Sequence, residues 1–305
     1  MRTLMRFSAG RKAARGARRI GSVSFPAMAL QIRLLPLCSA LVLALTACAG
    51  SRDRADYSVT EAIRYASAPE PHDVRVGDFY RPVGAGPFPA VLLVHGGSWQ
   101  RGSRSEMVKF ATRLADAGYA VFNVDYRLAP EHHYPAQLDD VRAAFGWLHS
   151  HARSLAVDPQ RIAVMGYSAG AHLALLLGLV DVAGAPRPRA VVAGAAPSDL
   201  TAYPNSPTLV ALIGGSGAVL PDVYADASPI SHVSPGDPPV LLYHGALDLI
   251  VDVEQSRRLQ AKLREAGVHA ELLEEPWAGH GTAFLLDGDS FRATLAFLAE
   301  QMPQR

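Results

Sequence analysis

The chain has 305 residues, 49% of them hydrophobic, which is length enough for one large domain and a leader. Its formal charge of +1 conceals an asymmetry: eight of the 29 basic residues precede Cys48 with no acid among them, leaving 21 basic against 28 acidic residues, about −7. A remainder of that sign argues against a nucleic-acid binder. The two cysteines, Cys38 and Cys48, both lie in the leader, which excludes a disulfide framework in the domain.

Arg33 precedes a twelve-residue apolar run, Leu34 to Leu45, followed by Thr46-Ala47-Cys48. A basic flank, a short apolar core and small closing residues describe an export signal, too short to span a bilayer. The end of the run resembles a bacterial lipoprotein signal, in which the cysteine is lipidated and becomes the N-terminus. That resemblance implies a signal over 1–47, lipidation of Cys48, a tether over 48–58 and a folded domain over 59–305. Met28 is a candidate start that gives the signal ordinary length. Ala49 in place of aspartate implies passage toward an outer membrane. The expected location is therefore the cell envelope, at the outer membrane or facing the periplasm. An ordinary cleaved signal is the alternative.

From Val59 the pattern becomes regular. Two short strands are predicted at Val59–Ala66 and Asp73–Arg81, then a Pro/Gly-rich loop and a continuous apolar strand, Ala90–Val94. Ser103-x-x-Glu106 reads as a capping box opening a helix that ends before Gly118. A strand at Tyr119–Asp125, a loop, and a helix from about Gln137 to Ser150 follow. A strand over Ile162–Met165 leads into a helix beginning near Ala171, and Ala190–Ala193 is another buried strand. The stretch from Asp199 to Pro238 is long and aperiodic, so it is a candidate lid or specificity region. Pro239–Tyr243 and His269–Glu274 are predicted strands; Asp252–Ala266 and Phe291–Gln301 are predicted helices. Strands that are apolar throughout, alternating with helices, predict an α/β fold with a mostly parallel central sheet covered on both faces.

The chemistry centres on Gly166-Tyr167-Ser168-Ala169-Gly170, a G-x-S-x-G between the predicted strand and helix. Such an elbow holds its serine at the tip of a strained turn. A helix N-terminus there favours developing negative charge. Serine is a weak nucleophile and needs a base, and the base needs an orienting acid. In such elbows acid and histidine follow the serine in chain order. His280, in Trp277-Ala278-Gly279-His280-Gly281 after the last strand, is the candidate base. Asp248, just after the Pro239–Tyr243 strand, is the candidate acid. Asp252 competes, but it stands before a helix with Gln255 three residues on and reads as a cap in a capping box.

The oxyanion donors are expected to be the N–H of Ala169 and those of Gly97 and Ser98, in His95-Gly96-Gly97-Ser98-Trp99. Trp99 either walls the site or packs beneath that loop, and His172 is expected to pack or bond nearby. No histidine pair has metal-binding spacing, so no metal and no cofactor are expected.

These motifs carry a resemblance. The chain is similar to the α/β-hydrolase superfamily, in the esterase branch with H-G-G-x-W and G-x-S-A-G. That branch includes feruloyl-esterase-like carboxylesterases and arylformamidases. Tyr126-Arg127-Leu128-Ala129-Pro130-Glu131, Asp139-Asp140 and Trp147 resemble hormone-sensitive-lipase-like esterases. Ser98 stands where those relatives usually have glycine, and Leu249-Ile250-Val251-Asp252 lacks the proline often found there. The resemblance implies a carboxylesterase with a small-molecule ester substrate; the leader adds export and a lipid anchor at Cys48, the charge argues against a nucleic-acid partner, and no protein partner is inferred. An arylformamidase, a prolyl-peptidase-like amide hydrolase and a non-catalytic binding protein on the same scaffold are the rivals.

Overall fold

Five apolar segments too hydrophobic to face water on either side form the middle of an eight-stranded sheet. The strands are β1 (Tyr57–Arg64), β2 (Val76–Pro82), β3 (Phe88–Val94), β4 (Ala120–Val124), β5 (Val157–Tyr167), β6 (Val191–Gly194), β7 (Val240–Gly245) and β8 (Ala270–Glu275). Their spatial order is β1-β2-β4-β3-β5-β6-β7-β8. β1 pairs antiparallel with β2, and β2 antiparallel with β4; the remaining pairs are parallel. This computed structural model describes residues 57–66 and 74–303. The expected export signal, the alternative start at Met28 and the lipidation site Cys48 lie outside the described residues.

The strand period of two divides the core. Ala90, Leu92 and Val94 of β3 face one cluster and Val91 and Leu93 the other. On the first face pack α2 (Ala136–Ser150), α3 (Ala169–Leu179) and α6 (Glu254–Glu265). On the second pack α1 (Val108–Asp116) and α8 (Gly288–Gln301). Every residue of α3 is buried. That explains its apolar sequence, interrupted only by His172, where a half-exposed helix would carry polar residues along one face.

Register fixes where the chemistry can lie. Val94 pairs with Gly166, Tyr167 with Gly194, and Gly194 with Tyr243. The loops after β3, β5, β6 and β7 therefore open on one edge, where ligands bind in open α/β sheets.

Two expectations need correction. Ser103 and Glu106 do not form a capping box. The Ser103 hydroxyl accepts from the Ser105 N–H and contacts the Ser105 hydroxyl, the first turn is 3₁₀ (Arg104–Met107), and Glu106 lines an open hollow instead. The aperiodic stretch after Asp199 contains α4 (Pro207–Ile213) and α5 (Pro221–Asp226), each opened by a proline in its first turn, where the missing N–H costs nothing.

Candidate active site

Ser168 joins β5 to α3 with φ 54° and ψ −120°, outside the ordinary regions for a residue with a side chain. The turn is held by close backbone approach. A Cβ on Gly166 would run into the backbone of Gly170, and one on Gly170 into the carbonyl oxygens of Val94 and His95. Only glycine lets β5, α3 and the end of β3 converge there. The Ser168 N–H donates to Gly194 O at 2.7 Å, which ties the tip to β6.

The structure brings the three predicted side chains together. Ser168 Oγ lies 2.9 Å from His280 Nε2, and His280 Nδ1 lies 2.6 Å from Asp248 Oδ2. A carboxylate only accepts, so Nδ1 carries the proton and Nε2 is left to accept from the serine hydroxyl. His280 opens α7 (His280–Leu285), and its carbonyl accepts from the Tyr167 hydroxyl at 2.5 Å.

Asp248 is held from four directions. Oδ1 accepts from the N–H groups of Ile250 and Val251 at 2.8 and 2.9 Å. Oδ2 faces His280 and, at 3.3 Å, Nε2 of His244. Burial pushes the Asp248 carboxyl up, but the bonds from His244, His280, Val251 and Ile250 outweigh it and hold it well below the usual carboxylate range. Asp252 is exposed and accepts from the Glu254 N–H at 3.0 Å, so it caps α6. Its supposed capping-box partner does not reciprocate. Gln255 Oε1 accepts instead from the buried N–H groups of Ser198 and Asp199, at 2.9 and 2.7 Å, which have no strand to satisfy them.

His244 is a functional neighbour that sequence reasoning missed. It is buried, with Nε2 2.9 Å from Val251 O and Nδ1 2.7 Å from Ser256 Oγ. Nε2 therefore donates, and Nδ1 accepts from the serine. The available signal was its position as the penultimate residue of β7, directly beneath the acid's loop.

The loop after β3 lies across the tip. Gly97, Ser98 and Trp99 have φ of 110°, 56° and 59°, three consecutive residues in the left-handed half of the map. Among the described residues, the N–H groups of Gly97, Ser98 and Ala169 have no acceptor, although all three residues line hollows at Ser168. The loop is braced from below. Trp99 is buried and its Nε1 donates to His172 Nδ1 at 3.2 Å, while His172 Nε2 donates to Ala227 O at 2.7 Å. Burial lowers the His172 pKa to about 4, so this brace is neutral. His95 stacks on Tyr126 with centroids 4.2 Å apart, and the Tyr126 hydroxyl donates to His95 O at 3.0 Å. Arg127 grips Asp140 through Nε and Nη2, at 2.8 and 2.7 Å. Thus Trp99 both walls the site and packs beneath the loop.

Two hollows meet at Ser168. One, of about 240 Å³, is lined by Arg101, Glu106, Tyr167, His280, Gly281 and Phe284 among others. The other, of about 160 Å³, is lined by Trp99, Pro197, Leu200, Tyr203, Leu209 and Val251 among others. The stretch after Asp199 thus supplies much of the second wall. Among the described residues, no group of three or more His, Cys, Asp or Glu side chains could hold a metal ion.

The BD-FAE family model matches residues 78–263. Esterase LipC of Mycobacterium tuberculosis is 33% identical over 66% of this chain and 55% of its own length. Esterase LipQ of the same organism is 33% identical over 59% of this chain and 46% of its own. The chain spans about half the length of these curated relatives. A truncated carbohydrate esterase from gut microbiota superposes with a TM-score of 0.75 at 28% identity, covering 83% of this chain and 99% of that one. An esterase of Thermogutta terrifontis shares the fold, with a TM-score of 0.67 at 24% identity over 80% and 92% of the two chains. The chain belongs to the BD-FAE family, in the esterase branch of the α/β-hydrolases.

Proposed function

We propose that the protein is a serine hydrolase that cleaves carboxylic esters through an acyl-enzyme. The observation that carries this reading is the unbroken hydrogen-bonded chain from Ser168 through His280 to Asp248, beside N–H groups with no acceptor. Ser168 attacks the ester carbonyl, and His280 Nε2 takes its proton. The charge that develops on the carbonyl oxygen falls among the N–H groups of Ala169, Gly97 and Ser98. One donor of this kind is worth about 10²–10³ in rate in other hydrolases. Asp248 keeps His280 in the accepting tautomer and stabilises its cationic form. His280 then returns the proton to the leaving alcohol, and water repeats the sequence on the acyl-enzyme.

Both relatives compared above are named esterases, which favours an ester over an amide as substrate. A turnover panel tests this: p-nitrophenyl butyrate and methyl ferulate beside N-formylkynurenine and a peptide amide. Esters should turn over with Ser168→Ala inactive. Preferential turnover of either amide overturns the ester reading.

The basic flank, apolar run and Cys48 support an exported lipoprotein of the cell envelope as the form of the full chain. Stable anchoring takes more than one acyl chain, as lipoprotein cysteines carry. Cys48→Ser should release the protein from membranes. A native protein without lipid on Cys48 contradicts the anchor.

A further inference from the structure

His280 stands at the first position of α7, a helix of six residues, and what fixes that helix fixes the base. This step rests on the serine-hydrolase reading above. A helix of that length has no stability of its own in water, so its place is set by what it touches. At its start the Gly279 N–H donates to Thr282 Oγ1 at 2.7 Å, and the Tyr167 hydroxyl holds the His280 carbonyl. In its middle the Phe284 ring has its centroid 4.9 Å from that of Tyr167 and 5.3 Å from that of Phe110. The far end has no apolar grip, because Leu285 and Leu286 are both exposed.

A lysine of α1 holds that end instead. Lys109 Nζ donates to the Leu285 carbonyl oxygen at 2.9 Å and to Asp287 Oδ1 at 2.6 Å. The last carbonyls of a helix have no partner within it, and Lys109 satisfies this one. The Asp287 carboxylate is buried, and its other oxygen accepts from Arg113 Nη1 at 2.7 Å. Arg113 acts on α8 rather than α7: its guanidinium lies 3.6 Å over the ring of Phe291. The start of α1 is fixed in turn. Arg104, in the 3₁₀ turn before it, pairs with Asp78 of β2 at 2.8 Å and with Asp125, just after β4. That turn follows directly on the loop of Gly97 and Ser98, so α1 joins the oxyanion side of Ser168 to the histidine side.

We propose that Lys109 is a positioning residue for His280, holding the end of α7 so that the base stays in place against Ser168. His280 Nε2 takes two protons in a cycle, one from the Ser168 hydroxyl and one from the attacking water. A displaced α7 therefore slows acylation and deacylation alike. A misplacement of about 1 Å can lower a rate by about 10², even when its origin is far from the chemistry. Lys109 lines neither hollow at Ser168, so its loss leaves substrate binding untouched.

The test measures turnover of p-nitrophenyl butyrate, the rate of labelling by a serine-directed phosphonate and the urea midpoint, in Lys109→Met, Lys109→Arg and Arg113→Met. Lys109→Met keeps the aliphatic stem and leaves Asp287 its bond to Arg113, so the fold should persist. Its kcat should fall by about tenfold with KM unchanged. Labelling should slow by the same factor, because both reactions use His280 as the base. Lys109→Arg, which can still donate to both acceptors, should recover most of the rate. Arg113→Met removes a bond to Asp287 but leaves Lys109 on Leu285; it should lower the urea midpoint and keep kcat per folded molecule unchanged. Wild-type kcat and labelling in Lys109→Met overturn the proposal while leaving the hydrolase reading intact. An equal loss of turnover in Lys109→Met and Arg113→Met does the same, because it reduces the cluster to a structural one. Absence of both turnover and labelling in the wild type overturns the hydrolase reading as well.

Discussion

On the oxyanion side of Ser168 the supporting rings of His95, Trp99, Tyr126 and His172 are buried, whereas on the histidine side the loops carry apolar side chains out into solvent. Leu249 is 99% exposed, Trp277 88% and Leu286 77%. One side stores a strained backbone against the core; the other positions a base and an acid on lightly packed segments. Strain persists only where surrounding structure over-determines it, which accounts for the buried braces beneath Ser98 and Trp99. On the histidine side the geometry depends on polar contacts instead: the four-way hold on buried Asp248 and the Tyr167 hydroxyl on the His280 carbonyl. The two sides should therefore fail differently: the first through folding, the second through turnover.

The largest effect is expected on the buried side. Gly170→Ala places a Cβ against the Val94 and His95 carbonyl oxygens, both backbone, which cannot move aside. The loss should reach about 4 kcal/mol or more, enough to leave little folded protein. A soluble variant with a wild-type urea midpoint would show that the elbow is looser than described.

On the histidine side Asp248→Asn should lower kcat by about 10⁴, the cost of the matching change in a serine protease. Some stability is lost as well, because the carboxylate pKa is depressed on folding. That contribution is complete above the unfolded pKa of about 4 and disappears as pH falls below it. The gap in urea midpoint between wild type and variant should therefore narrow in acid. A gap that widens there contradicts the hydrogen-bonded carboxylate.

His172 tests the brace. Its pKa is lowered to about 4, so unfolding takes up a proton between that value and the ordinary 6.5. Stability from the neutral brace is whole above pH 6.5 and declines as pH falls toward 4, by about 3 kcal/mol in total. His172→Gln should flatten that slope by up to one proton. An unchanged slope would mean that the ring is not held neutral.

The smallest effect separates the two aspartates. Asp252→Ala should lose about 1 kcal/mol through its cap on α6, with turnover per folded molecule unchanged. Loss of turnover at constant stability would exchange the roles of Asp252 and Asp248.

The parallel strands, the elbow and all three members of the hydrogen-bonded chain were legible in the sequence, because continuous apolar runs and fixed order after the elbow are local signals. The capping boxes were not. Ser103-x-x-Glu106 and Asp252-x-x-Gln255 have the right residues, but Glu106 lines the hollow at Ser168 and Gln255 satisfies the Ser198 and Asp199 N–H groups. Tertiary contacts override the local pattern at those positions. His244 escaped notice because a histidine inside a strand usually reads as packing; its value comes from Asp248, Val251 and Ser256, which the fold brings around it. Arg101 gave no signal and Glu106 only that of a capping box, since nothing local shows that one hollow joins them. The prolines at the starts of α4 and α5 were a readable signal, hidden by the poor periodicity of short helices.

The most direct measurement is peptide mapping after treatment with a serine-directed phosphonate, run on the wild type, Ser168→Ala and His280→Ala. One adduct is expected on the wild type, at Ser168, with none on Ser168→Ala and far slower labelling of His280→Ala. An adduct at another residue, or equal labelling of Ser168→Ala, would contradict Ser168 as the nucleophile.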